Sequence, residues 1–137
     1  MTNGLLRKTL MANVIFSELC GAALLLFGGT LAEALAPGLG AAGPWLVRGL
    51  GAGLIVFALL VWLVLRAGAP VGYVHMIVVA DIVWVAASVD ALAFASHTLT
   101  GAGVAVVATV AAVVAVIAIF EHLGLVRAVS GASRAAA

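Results

Sequence analysis

Charge is what this chain has least of: 8% of its 137 residues are Asp, Glu, Lys or Arg, against about a quarter in soluble domains. So few ionised groups cannot make a water-facing surface, which excludes an ordinary soluble domain. Six Lys and Arg against five Asp and Glu leave a formal net charge of +1. The basic residues are scattered, so the positive field that a nucleic-acid partner requires is excluded too. Cysteine occurs once. Cys20 cannot close an intramolecular disulfide, and without Cys-x-x-Cys pairs no zinc site of that type exists; within its apolar run it reads as a small packing residue. Proline is confined to positions 37, 44 and 70, which leaves long stretches free of helix breakers.

What is present is apolar. Hydrophobic residues make up 66% of the sequence, and the mean hydropathy is +1.37. Four runs stand out, 11–36, 45–65, 71–96 and 101–126, each near or above the roughly 20 residues needed to cross about 30 Å of hydrocarbon. The first is about twice the 7–15 residues of a signal-peptide apolar region, so it is read as an uncleaved helix despite the small residues Ala34-Leu35-Ala36. Segment 37–44 holds two prolines and three glycines and reads as a loop. Segments 66–70 and 97–100 are the other breaks, and the small polar tail 130–137 reads as frayed. Val-rich runs favour strands in water, but an open sheet in lipid leaves backbone groups unpaired, so helices are expected. Short connections make neighbours antiparallel. The fold class expected is all-α, a single membrane domain forming an up-down antiparallel four-helix transmembrane bundle.

Orientation follows from the basic residues. With alternate loops on opposite sides, Arg7, Lys8, Arg66, Arg127 and Arg134 share one side and Arg48 lies on the other. Both termini are therefore expected on the cytoplasmic side. Trp45 and Tyr73 fall near predicted helix ends as interfacial anchors, whereas Trp62 and Trp84 lie deeper and read as packing residues.

The polar residues inside these runs carry what functional information there is, because a carboxylate at mid-bilayer costs about 2.5–3.5 kcal/mol on insertion scales. Counting depth at about 1.5 Å per residue places Glu18, His75, Glu121 and His122 toward the cytoplasmic side, Asp81 nearest the middle, and Arg48, Asp90 and Glu33 toward the outer side. Arg48 and Asp90 are thus a candidate ion pair, read first as a structural clamp. Asp81 and Ser88 are two turns apart, with Trp84 only about 60° away, so the three share a face, while Asp90 points nearly opposite. A partner for Asp81 is expected from Asn13, Ser17 or Glu18 of the first helix, or from Thr109 of the fourth. Two neighbouring carboxylates in low dielectric share a proton. A Glu18–Asp81 pair would then serve a proton relay; the simpler alternative is a protonated Asp acting as interhelical glue.

Other constellations point less sharply. His75 and His122 lie on consecutive helices at similar depth and raise axial ligation of a haem. With Glu18 and Glu121 they could also form a metal-ligand set, but adjacent Glu121 and His122 diverge by about 100° and lack the Glu-x-x-His spacing of di-iron bundles. No cofactor or metal is expected. Gly49, Gly51 and Gly53 on the second helix, and Ala108, Ala111, Ala112, Ala115 and Ala118 on the fourth, form small faces for close packing, internal or with a partner's helix. Ser17 beside Glu18 and Ser88 near Asp90 are read as local coincidences, so no nucleophile–base–acid set is found and no enzymatic activity is expected.

The pattern Leu6-Arg7-Lys8-Thr9-Leu10-x-x-Asn13-x-x-Phe16-Ser17, with Asp81-x-x-Trp84-Val85-x-x-Ser88 and Gly124-Leu125-x-Arg127, resembles a group of small bacterial integral membrane proteins with four predicted spans. It covers most of the chain. The resemblance implies fold and location and carries over no activity; Asn13, Ser17, Asp81, Trp84 and Ser88 are its motif positions. The leading functional expectation is a non-enzymatic accessory or interaction subunit of a bacterial inner membrane, homo-oligomeric or part of a larger complex, associating in the lipid bilayer. The alternative is a proton- or small-solute-conducting protein using Asp81 and Glu18. A third reading is haem binding by His75 and His122.

Overall fold

The computed structural model describes residues 4–135. Among them the chain forms four long helices, α1 (Gly4–Leu35), α2 (Gly43–Arg66), α3 (Val71–Phe94) and α4 (Gly101–Ala135), and no strand. All four are long and apolar enough to cross a membrane. They run alternately up and down, so one end of the bundle gathers the start of α1, the end of α4 and the α2–α3 connection. We call this the terminal end.

The helix bounds depart from the sequence expectation where local chemistry allows extension. α1 starts at Gly4, well before residue 11, because Leu6, Thr9 and Leu10 already face the interior while Arg7 and Lys8 remain exposed. In place of an open loop, Pro37–Ala42 forms a 3₁₀ helix, with Gly40 taking the left-handed φ of 56°. Gly43 and Pro44 then open α2, since proline in a first turn gives up no intrahelical hydrogen bond. α4 does not fray at residue 130. It continues in an Ala- and Ser-containing segment that no proline interrupts, and only positions 136–137 of that tail lie outside the described residues. At 32 and 35 residues, α1 and α4 measure about 48 and 52 Å along their axes, longer than the hydrocarbon layer.

α1 is the central helix. It packs on α2 and on α4, and α3 packs on α4, whereas α2 and α3 scarcely touch although four residues join them. Glycines set the closest crossings. A Cβ on Gly51 would fall 2.7 Å from the Gly21 carbonyl oxygen, and one on Gly21 would fall 2.8 Å from that of Gly51. Gly124 similarly lets α4 approach Leu6. At the far end Gly103 lies against the Leu35 carbonyl. The Thr100 amide donates to that carbonyl at 2.9 Å, and its hydroxyl accepts from the Gly103 amide at 3.1 Å, capping α4 while tying it to α1.

α2 ends in a Schellman arrangement: Ala69 N–H donates to Val64 O at 2.9 Å and Gly68 N–H to Leu65 O at 3.2 Å, with Gly68 at φ 82°. Ala69 then drops into an apolar cluster with Leu6, Leu10, Val61, Val74, Ile77 and Leu125 that fills the terminal end. Outward, large apolar side chains such as Leu26, Met76 and Phe94 are exposed along the helices. They would form oversized hydrophobic patches in water and are instead the surface a lipid bilayer covers.

The α1–α2 crossing yields a prediction. Gly51→Val should destabilise the protein in detergent micelles by about 1–3 kcal/mol through overpacking, read as a lower denaturation midpoint. Gly49→Val, whose Cβ meets nothing within 4 Å, should leave the midpoint in place. Equal midpoints for both variants would contradict this crossing.

Candidate functional site

The buried polar residues of the bundle converge on one side chain. Asn13 of α1 has an amide with two N–H donors and a carbonyl acceptor. Its Nδ2 donates to Asp81 Oδ2 of α3 at 2.7 Å and to Glu121 Oε1 of α4 at 2.9 Å, while Ser17 Oγ donates to Asn13 Oδ1 at 3.1 Å. Asn13, Ser17, Asp81 and Glu121 are 2%, 5%, 4% and 0% exposed. Both carboxyl groups share a single donor nitrogen, so they are close neighbours. Neither has a basic partner among the described residues, and Glu121 Oε2 is buried with no hydrogen bond. Two ionised carboxylates about 4 Å apart would repel by about 4 kcal/mol at an effective dielectric of 20.

The helix periods explain this meeting. On α4 the buried positions Ala111, Val114, Ala118, Glu121 and Leu125 recur at alternating three- and four-residue steps, the spacing of one helix face. On α1 Leu6, Leu10, Asn13, Ser17 and Gly21 follow one another at three or four residues, again one face. Asp81 is the last buried residue of α3 after Val74, Ile77 and Val78. The site is thus sealed toward the terminal end by the apolar cluster. In the other direction it borders a cavity of about 280 Å³ lined by residues of all four helices, Phe16, Ser17, Phe57, Asp81 and Trp84 among them.

Several sequence-predicted positions lie elsewhere. Glu18 follows Ser17 by one residue, turns about 100° away and is exposed, so the acid beside Asp81 is Glu121 and not Glu18. Thr109 is exposed and donates to Ala105 O at 2.8 Å, not to Asp81. Ser88 shares the Asp81 side of α3 but donates to the Trp84 carbonyl at 2.9 Å. Trp84 borders the cavity, and its Nε1 is buried without a hydrogen-bond partner.

Arg48 and Asp90 do not pair. Because α2 and α3 stand apart, Arg48 lies across Gly28, with its guanidinium 5.9 Å from the centroid of the Trp45 ring, and Asp90 is exposed. The α1 backbone departs from helical geometry at Phe27 (φ −107°, ψ 18°), just before that Gly28 contact. His75 and His122 are both exposed. Among the described residues no group of three or more His, Cys, Asp or Glu is placed to hold a metal ion. On α2, Gly51 is the glycine that takes α1, while Gly49 and Gly53 line the cavity. Comparison with protein-family models, curated proteins and solved structures finds no match.

Asn13→Ala removes both donors at once and should lower stability in micelles by about 1–2 kcal/mol, the upper range for interhelical hydrogen bonds. Glu18→Gln should stay within about 0.5 kcal/mol, as for other exposed positions. A larger loss for Glu18→Gln than for Asn13→Ala would contradict the assignment of Glu121 as the interior acid.

Proposed function

We propose that this chain is a multi-pass protein of a bacterial inner membrane that takes up and releases a proton at the Asp81–Glu121 pair, without enzymatic chemistry. The observation that carries the reading is the sharing of the Asn13 amide by two carboxyl groups in the interior. A proton held between them removes one of two repelling charges and supplies a donor for an otherwise unsatisfied oxygen, so the pair is built to hold one. The placing of five basic residues toward the terminal end and one toward the other supports cytoplasmic termini.

Access to the pair is one-sided in this conformation. The cavity reaches Asp81, whereas Leu6, Leu10, Val74, Ile77 and Leu125 close the terminal end. Conduction across the membrane therefore requires that this plug open when the proton moves.

Infrared spectroscopy of the protein in micelles tests proton holding directly. The wild type should show the carbonyl stretch of a buried protonated carboxylic acid, and Asp81→Asn combined with Glu121→Gln should remove it; a wild-type spectrum without that band would overturn the reading. In proteoliposomes with an imposed proton gradient, the wild type should conduct above protein-free vesicles and Asp81→Asn should not. Wild-type flux equal to empty vesicles would dispose of conduction.

A second reading, an accessory subunit or homo-oligomer, is favoured by α3. Beyond Asp81 it has no buried residue as far as Phe94, and Glu18 is exposed between the lipid-facing Ile15 and Leu19, where an intramembrane acid requires a polar neighbour. If another copy supplies it, particles in nanodiscs will be larger than one chain and Glu18→Leu will reduce them to monomers. Monomeric wild-type particles would exclude the homo-oligomer.

A further inference from the structure

Three features of the cavity beside Asp81 bear on what it holds. Its wall is almost wholly apolar and carries one charged side chain, the Asp81 carboxylate. Phe16, Phe57 and Trp84 give it aromatic surface from three different helices, and an aromatic face attracts a cation within about 6 Å. Finally, α2 presents glycine at 49 and 53, where a Cβ would meet nothing within 4 Å. No neighbouring helix requires glycine there, although glycine costs a helix about 1 kcal/mol against alanine. These glycines keep the cavity open.

We propose that this cavity binds a small lipophilic amine, with its ammonium group on Asp81 and its hydrocarbon body among Phe16, Phe57 and Trp84. The assignment rests on the reading of Asp81 as a group that gains and loses positive charge, and it names what, besides a proton, can supply that charge. A cation is selected because Asp81 has no basic partner among the described residues and its hydrogen bond comes from a neutral amide. Both bases of α2 lie beside tryptophan rings, Arg48 5.9 Å from the Trp45 centroid and Arg66 4.9 Å from that of Trp62. The ligand is lipophilic because α2 and α3 scarcely touch, so access is lateral, from the bilayer. It is small because about 280 Å³ lies just under the range of about 300–1,000 Å³ for ligand pockets; one ring and a short chain fill it. The titratable groups facing Asp81 are Glu121 of α4 across Asn13 and Cys20 of α1 on the cavity wall; α2 contributes none.

Isothermal titration of the purified full chain in micelles with phenethylamine tests this, with 2-phenylethanol as the neutral counterpart of similar shape. The wild type should bind phenethylamine saturably and the alcohol at least about tenfold more weakly, a difference of about 1.4 kcal/mol. Asp81→Asn should lose that preference. Gly53→Leu, at a lining position whose Cβ would meet nothing within 4 Å, should abolish saturable binding while keeping the wild-type denaturation midpoint. Absence of saturable binding to the wild type, or undiminished binding to a folded Gly53→Leu protein, would overturn the proposal. Equal binding of amine and alcohol would do so as well, and would mark a groove for acyl chains. The infrared band of the protonated acid separates the two levels: if it is present and amine binding is absent, the ligand assignment fails alone, and if both are absent the proton reading fails with it.

Discussion

The amide nitrogen of Asn13 is the point on which the interior depends. Lipid offers no hydrogen bonds, so two acids buried in a bundle must be satisfied by the helices themselves. Asn13 supplies one N–H to each of them and receives the Ser17 hydroxyl on its oxygen. In doing so it ties α1 to both α3 and α4. Aspartate in its place would bring a third carboxyl and no amide donor. Leucine would leave both acids without this donor.

Around that point the bundle is asymmetric in two directions. Along its axis, an apolar cluster fills the terminal end and a cavity borders the acids on the other side. Across it, α1 is clasped tightly by α2 through Gly21 and Gly51, while α2 and α3 stand apart. Hydrophobic burial distinguishes little between these arrangements in a bilayer, where association is driven by close packing and hydrogen bonds. The glycine crossings and the Asn13 contacts are therefore the features that select this packing. The open side between α2 and α3 follows from their small shared surface.

Much of this was legible in the sequence, for definable reasons. Apolar run length and the absence of prolines marked four helices, and the insertion cost of Asp81 required a shelter whose members on α1 could be narrowed to Asn13, Ser17 and Glu18. Choosing Glu18 as the second acid failed because depth along a helix says nothing about direction around it. Ser17 and Glu18 lie at the same level but about 100° apart. A signal for Glu121 was present: Ala111 and Ala118 lie on the small face of α4, and the same period carried three residues further arrives at Glu121. The Arg48–Asp90 pair failed for another reason. Equal depth does not bring two helices into contact, and the Schellman turn at Gly68 and Ala69 joins α2 to α3 while leaving them apart. The cavity could not be foreseen, since it depends on that separation.

A double-mutant cycle between Asn13→Ala and Glu121→Gln, measured as unfolding free energy in micelles, tests the shared hydrogen bond most directly. The account predicts a coupling of about 0.5–2 kcal/mol, because the second substitution has less to remove once the first is made. Additive effects, with the double variant losing the full sum of the two single losses, would contradict it.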